Sequence, residues 1–224
     1  RRCRVTCTTG TPILVRCTHG IDGVAVYATT PDYYDYEPIV TLQRPVAITG
    51  HPGSGLREIA YDLGALTGLT VHDLDHRIAH EVGRSPRQLR HEQGLQAYLQ
   101  CADSLVSGLL ASRPGGLVVL EVGLLELHPQ MLDIVRHRAD LIFLRLQPAA
   151  IYWHLRQGPI EDQITSLLPE DLNHPDDLAP LLAASGKIQT TAALILDVKP
   201  QAVHAAVTAL RDHIVDGDIQ GGRS

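Results

Sequence analysis

The chain has 224 residues, with 19 Lys and Arg against 25 Asp and Glu, which gives a formal net charge of −6 at pH 7. Its length suits one α/β domain of about 170 residues and a smaller segment. The acidic balance provides no broad basic face, so we expect no direct contact with nucleic acid. The sequence shows no signal peptide, no membrane-spanning apolar run and no disulfide framework, and it predicts a cytoplasmic protein with reduced thiols.

Residues 1–44 differ in character from the rest of the chain. Short β-rich runs broken by glycine and proline predict a small β-rich segment, which a linker at 31–38 follows. Because the first residue is Arg1 and not Met, we expect a piece of a longer multidomain chain. The segment also contains a conceivable zinc set that lacks paired C-x₂-C spacing, and we interpret it as ordinary side chains: Cys3, Cys7, Cys17 and His19.

From residue 45 to 215, apolar runs alternate with helical patterns. The apolar runs have no polar alternation, as is typical of buried parallel strands; they are 46–49, 69–73, 117–121, 141–145 and 193–197. Helices are predicted near 55–67, 74–82, 94–112, 129–138, 148–157 and 200–214. The succession predicts a three-layer α/β/α fold with a mainly parallel five-stranded sheet that binds ligands at the carboxyl ends of its strands, and a tail at 216–224.

The stretch 45–57 has the layout of a phosphate-binding P-loop. An apolar strand stops at Gly50, and a glycine-rich turn through Gly53, Ser54 and Gly55 opens a helical pattern. Glycines allow successive backbone N–H groups to converge on an anion at the positive end of a helix. We therefore expect these four residues to bind phosphate.

The two side chains that carry ionic chemistry in such a loop are replaced. In the pattern G-x-x-x-x-G-K-[ST], Leu56 stands at the Lys position and Arg57 at the Ser/Thr position. Leu56 supplies no charge for a phosphate, and Arg57 has no oxygen for a metal and places a fixed cation near the expected Mg²⁺. Arg57 is retained as a candidate phosphate ligand.

Carboxylates follow two of the predicted strands. Asp73 and Asp75 follow the second, where a pair at i and i+2 can hold the water shell of a metal and accept a hydroxyl proton. Glu121 ends the third strand, either as a Walker B type carboxylate or as a salt-bridging residue beside an altered pocket. Three histidines at helical spacing are interpreted as solvated imidazoles: His72, His76 and His80.

Taken in order, these motifs resemble the shikimate kinases. After the glycine-rich loop and the D-x-D pair come Gly-Arg-Ser-Pro at 83–86, a G-x-x-x-Y helix at 94–98 and the closing strand at 193–197. The resemblance covers about residues 46–214. It implies a P-loop kinase that transfers a phosphoryl group from ATP, with Mg²⁺, to the 3-hydroxyl of shikimate.

The resemblance also assigns roles to single residues. It implies that Asp75 grips or deprotonates the substrate hydroxyl as the catalytic residue, and that Asp73 helps to hold the Mg²⁺ shell. A glycine triplet that lies along the substrate in the family keeps only Gly123 here. We expect Glu121 and Val122, which replace the other two glycines, to fill part of the site.

The cations of the family are missing as well. The position of the Arg that binds the substrate carboxylate is Leu99, and that of the Arg in the lid, about 158–187, is Leu178 or, in another alignment, Ala179. Between Gln157 and Gly186 the sequence has no Lys or Arg and several acidic residues, which would repel a triphosphate.

These losses predict an impaired kinase-like domain. We expect a ligand-sensing, regulatory or structural module linked to shikimate or quinate, like the kinase-like domain of the fungal repressor of quinate use. The alternative is an active small-molecule kinase in which other arginines replace the lost cations. ATP and Mg²⁺ are implied by the resemblance, although the replaced residues argue against their use.

Overall fold

The computed structural model describes residues 40–157, 172–199 and 202–215. Five predictions therefore lie wholly or mostly outside the described residues. They concern the β-rich segment, the linker at 31–38, the conceivable zinc set, the first part of the lid and the tail. Within the described ranges, no helix is both long enough and apolar enough to cross a membrane.

A five-stranded parallel sheet forms the centre of the domain. Its strands lie in the order β2-β3-β1-β4-β5, and every neighbouring pair is parallel. The prediction of five strands in an α/β fold is confirmed, with small shifts in the bounds. The strands are β1 (Val46–Gly50), β2 (Val71–Asp73), β3 (Leu117–Val119), β4 (Asp140–Arg145) and β5 (Leu194–Asp197).

Helices connect the strands. The described residues form α1 (Leu56–Thr67), α2 (Leu74–Val82), α3 (Pro86–Ala111), α4 (Val122–Leu127), α5 (Pro129–Arg138), α6 (Pro148–Gln157), α7 (Ala179–Thr191) and α8 (Val203–Val215). The six predicted helices are confirmed. α4 and α7 were not predicted, and α3 begins earlier than predicted. It starts after a capping box of Ser85 and Gln88, and Gly94, at φ 85°, interrupts it where the prediction placed its start.

Alternate residues of β1 enter two different cores. Val46 and Ile48 belong to an apolar cluster with side chains of α1, α6 and α8, whereas Ala47 belongs to a second cluster with α3 and α5. Successive strand residues point to opposite faces, so both faces of the sheet are covered. The carboxyl ends of β1, β2 and β3 therefore meet at one edge, where the loop after Gly50 and the carboxylates after β2 and β3 come together.

Candidate functional site

The loop between β1 and α1 is a compact turn. The His51 N–H donates to the Leu144 carbonyl oxygen at 3.0 Å, and the Ser54 N–H donates to that of His51 at 3.1 Å. Gly53 and Gly55 have φ of 78° and 71°, a region that favours glycine. A Cβ on Gly50 would lie 2.6 Å from the Leu144 Cβ. The positive φ angles and the close approach of β4 thus favour glycine at these positions. The four candidate phosphate-binding residues lie together in this turn.

The partners of Leu56 and Arg57 lie outside this loop. Leu56 is partly buried against the core, and Arg57 points to the strand ends beside the loop. Its Nε donates to Asp73 Oδ2 at 2.8 Å, and its Nη2 donates to Asp75 Oδ2 and, at 3.1 Å, to Glu121 Oε1. The candidate phosphate ligand therefore pairs with carboxylates. We call these four residues the Arg57 cluster: Arg57, Asp73, Asp75 and Glu121.

Asp73 also caps the N-terminus of α2, which fixes its position in the cluster. Its side chain is only 1% exposed, and its Oδ1 caps α2 by accepting from the backbone N–H groups of Asp75, at 3.0 Å, and of His76. A helix N-terminus stabilises a carboxylate. Both oxygens of Asp73 are therefore satisfied within the chain, one by the helix and one by Arg57.

The carboxylates outnumber the cation. Burial and the negative charge of Asp75 raise the pKa of Glu121 to about 7, and burial raises the pKa of Asp75 above its ordinary range. Burial opposes the charge of Arg57, but the three carboxylates outweigh it and raise its pKa further. Even with one proton held between Asp75 and Glu121, the cluster keeps a net negative charge. Such a site repels an incoming phosphate.

His51, which was not identified from the sequence as a site residue, is a buried neutral residue of the loop itself. It is 3% exposed, and its Nδ1 accepts from the Leu146 N–H at 3.1 Å. This leaves the proton on Nε2, which donates to Ser185 Oγ in α7 at 3.1 Å. Ser185 Oγ donates in turn to the Leu181 carbonyl oxygen at 2.8 Å. Burial and the charge of Arg145 lower the pKa of His51 to about 4, so this residue supplies no cation at neutral pH.

Tyr98 lies beneath the carboxylates. It is 0% exposed, Arg90 stands over its ring at 5.6 Å, and burial with the charges of Asp75 and Glu121 raises its pKa. Its Oη is buried and has no hydrogen-bond partner in the described part of the chain. A buried hydroxyl without a partner carries an uncompensated desolvation penalty.

Tyr98→Phe is therefore expected to raise the free energy of unfolding by about 1 kcal/mol, because it removes that penalty and keeps the ring. Chemical denaturation measures the change. Tyr152→Phe is the matched control, since Tyr152 Oη donates to the Asn173 carbonyl oxygen at 2.8 Å and accepts from Arg156 Nη1 at 3.1 Å. The control should lose about 1 kcal/mol. A loss of stability in both variants would contradict the prediction.

Other predicted site positions do not converge on the cluster. Gly123 is buried inside α4, two residues beyond Glu121. Leu99 and Leu178, which replace family arginines, are buried in the two cores, at 8% and 0% exposure. Ala179 is an exposed residue at the start of α7. None of these positions supplies a cation to the cluster.

Two of the arginines that follow the D-x-D pair have partners outside the Arg57 cluster. Arg84 pairs with Glu92 at 3.0 Å, and Arg90 lies over Tyr98. His76, one of the histidines at helical spacing, is exposed and contacts Tyr61 Oη through Nδ1 at 3.0 Å. Among the residues described, no group of three or more His, Cys, Asp and Glu is arranged to hold a metal ion.

Mg²⁺ with a nucleotide does not fit the residues present. The guanidinium of Arg57 already satisfies the carboxylates that would face the metal, and Leu56 offers no charge to a terminal phosphate. Ser54 Oγ is buried without a partner among the described residues, but it lies before Gly55, whereas the metal-ligating position is two residues after that glycine, at Arg57.

Comparisons with known proteins identify the fold. Comparisons with protein families and with curated proteins found no match. Among solved structures, the shikimate kinase from Acinetobacter baumannii in complex with shikimate superposes with a TM-score of 0.64 at 15% identity, over 78% of this chain and 94% of that one. The shikimate kinase from Aquifex aeolicus superposes with a TM-score of 0.61 at 17% identity, over 80% and 99%.

This chain has a shikimate-kinase-like P-loop kinase fold. A third solved structure, the shikimate kinase from Bacteroides thetaiotaomicron, agrees with a TM-score of 0.60 at 15% identity, over 77% of this chain and 98% of that one. The kinase-like domain predicted from the motifs is thus confirmed at the level of the fold. At identities of 15–17%, these structures show the fold alone, and the roles of the side chains in the site are inferred from their own contacts.

Gly53→Ala tests how tightly the loop packs in this shikimate-kinase-like fold. We expect a loss of about 1 kcal/mol from the left-handed backbone alone, and a further loss because the new Cβ would lie 2.5 Å from the His154 ring. Gly83→Ala is the control, with φ 70° and nothing within 4 Å of its Cβ. Denaturation should show a larger loss at Gly53, and adding His154→Ala should reduce the excess without removing it, because the His154 Cβ, 2.8 Å from the new Cβ, remains. Equal losses at both glycines would contradict this packing.

Proposed function

We propose that this domain has lost phosphoryl transfer and acts as a ligand-sensing or regulatory module linked to shikimate or quinate. The observation that carries the proposal is the direction of Arg57. The one cation beside the glycine-rich loop in the P-loop motif points into three carboxylates and is not available to a phosphate.

The remaining loop offers mainly backbone N–H groups. Loss of a single charge-stabilising group typically costs about 10² to 10³ in rate. Here the P-loop Lys, the metal-ligating hydroxyl and two substrate arginines are all replaced, by Leu56, Arg57, Leu99 and Leu178 or Ala179. Such losses are rarely additive, but together they leave negligible turnover unless other groups substitute.

The alternative, an active small-molecule kinase, rests on Asp75, which remains at the position of the catalytic carboxylate. It requires Arg57 to leave its partners and turn to the phosphates. That movement would leave Asp73, which is 1% exposed, with an unpaired oxygen. A buried carboxylate that loses its cation is strongly destabilised, so the structure favours the non-catalytic function.

The test combines turnover with binding. The purified protein is incubated with Mg²⁺ and ATP, together with shikimate or quinate, and ADP release is followed while calorimetry measures binding of each compound alone. We expect no ADP above the protein-free background, and binding of shikimate or quinate without turnover. Turnover would refute the proposal in favour of the kinase, and absence of all binding would reduce the domain to a structural role.

A matched variant shows that the assay can detect the lost chemistry. Leu56→Lys with Arg57→Thr restores both residues of the G-K-[ST] pattern in the same scaffold. We expect this variant to bind ATP with Mg²⁺ more tightly than the parent protein, because Lys reaches the terminal phosphates and Thr offers a hydroxyl to the metal. The parent protein should show no gain in ATP binding when Mg²⁺ is added.

A further inference from the structure

Glu126 in α4 presents its charged end to the interior of the protein. The residue as a whole is partly exposed, but both of its carboxylate oxygens are buried and have no hydrogen-bond partner among the described residues. Long charged side chains usually lay the carbon stem on apolar surface and keep the charged end in water. A buried ionised carboxylate without a partner is strongly unfavourable. The geometry therefore indicates that the folded protein holds Glu126 as a neutral acid.

The helix that carries Glu126 is embedded in apolar side chains. Val122, one turn earlier on the same face of α4, and Leu125, the preceding residue, are buried in the second apolar cluster. α4 packs against α5 and α7, which contribute Met131 and Ile188 to that cluster. Glu126 also lies in the last turn of α4, where the helix dipole disfavours a negative charge. Ionisation at this position therefore opposes the packing of α4.

The charged groups on the helices around α4 do not compensate Glu126. Burial raises the pKa of Glu126 to about 7, and no neighbouring charge contributes to that shift. Asp103 of α3 and His128, between α4 and α5, pair with each other at 2.7 Å. Glu121, at the other end of α4, contacts Arg57. The charged and titratable side chains of α5 and α7 are exposed: Asp133, Arg136, His137, Arg138 and Lys187.

We propose that Glu126 is a proton-dependent switch of helix packing: α4 packs against α7 while Glu126 is protonated and separates from α7 when Glu126 is ionised. α5 continues directly from α4 through His128, whereas among the described residues α7 is joined to α4 only by packing, so the weaker boundary is the one with α7. α4 follows Glu121 of the Arg57 cluster, and α7 carries Ser185, the partner of His51. The switch therefore acts on elements at both sides of the candidate site. It goes beyond the proposed function and does not depend on it.

Hydrogen exchange of the backbone amides tests the switch. The parent protein is compared with Glu126→Gln, which carries a neutral group of nearly the same shape, at about pH 6 and about pH 8.5, after correction for the intrinsic pH dependence of exchange. With a pKa of about 7 when packed and 4.5 when open, the opening equilibrium rises about tenfold between these pH values. We expect amide protection in α4 and α7 of the parent to fall by that factor relative to the variant.

Two further variants isolate the effect. Burial also raises the pKa of Glu121 to about 7, but Glu121 is present in the parent and in Glu126→Gln, so the difference between the two cancels its effect. Glu58→Gln removes an exposed carboxylate from the first turn of α1 and should behave like the parent. Glu126→Leu places an apolar side chain in the same space, and its α7 should stay equally protected at both pH values relative to the parent.

Three results overturn the switch. The first is an equal pH dependence of protection in the parent and in Glu126→Gln. The second is a Glu126 carboxyl group that titrates near its ordinary pKa of 4.5 when it is followed by ¹³C NMR. The third is a loss of protection that spares α7, because it would show that Glu126 turns into water without moving the helices apart. None of these results bears on the turnover assay, which tests the proposed function separately.

Discussion

Arg57→Ala in metal-free buffer is expected to lower the free energy of unfolding by about 2–3 kcal/mol, measured by chemical denaturation in EDTA. The variant leaves three carboxylates facing one another, and one of them, Asp73, is 1% exposed. Breaking a fully buried ion pair from one side costs about 3–5 kcal/mol. The Arg57 side chain is 45% exposed, so solvent screening reduces the effect.

Arg145→Ala is the matched control. The Arg145 side chain is also 45% exposed and donates two bonds to one partner, at 2.6 and 2.8 Å, but that partner, Asp197, is 62% exposed. Exposed pairs of this kind contribute little to stability. The Arg57 variant should therefore lose clearly more stability than the Arg145 variant. Equal losses would show that the Arg57 cluster is an ordinary surface ion pair.

The contribution of His51 to stability should fall below neutral pH because His51 is buried in its neutral form. In the unfolded chain His51 takes up a proton below its ordinary pKa of 6.5, whereas the folded form takes it up only near pH 4. Between these values His51 binds more protons in the unfolded state, so its contribution to stability decreases as the pH falls. The loss amounts to as much as about 3 kcal/mol between pH 7 and 4.

His51→Gln isolates this contribution. Glu121, Glu126 and Asp75 shift stability in the opposite direction, since burial raises the pKa of each and stability falls as they ionise. The difference between the parent and His51→Gln cancels that effect. We expect the parent to be more stable at pH 7.5 and the difference to shrink toward pH 4. A difference that does not change with pH would contradict a neutral His51 bonded between Leu146 and Ser185.

Together, these contacts describe a phosphate loop that is held by its own chain. His51 ties the loop to α7, and Arg57 ties the start of α1 to the ends of β2 and β3. In an active P-loop enzyme the bound phosphates and metal perform much of this ordering. Here side chains satisfy the loop from both ends, so its ordering does not require a bound ligand.

The sequence alone determined the parts of this protein that depend on local pattern. Uninterrupted apolar runs alternating with amphipathic segments predicted the five strands and six of the helices, because burial and backbone geometry act over a few neighbouring residues. The loss of the P-loop Lys and hydroxyl was also visible, since Leu56 and Arg57 stand directly after the glycines.

Only the tertiary structure decided what the replacing residues do. Glu121 had two open interpretations, and its contact with Arg57, 64 residues away in the chain, makes it a salt-bridging residue. His51 bonds to Ser185, 134 residues away, and no local pattern indicates that pair. Ion pairs and buried hydrogen bonds join groups that only the folding of the whole sheet brings within about 3 Å. The residue type determines which bonds a side chain can form, but the packing of distant segments determines which partners it meets.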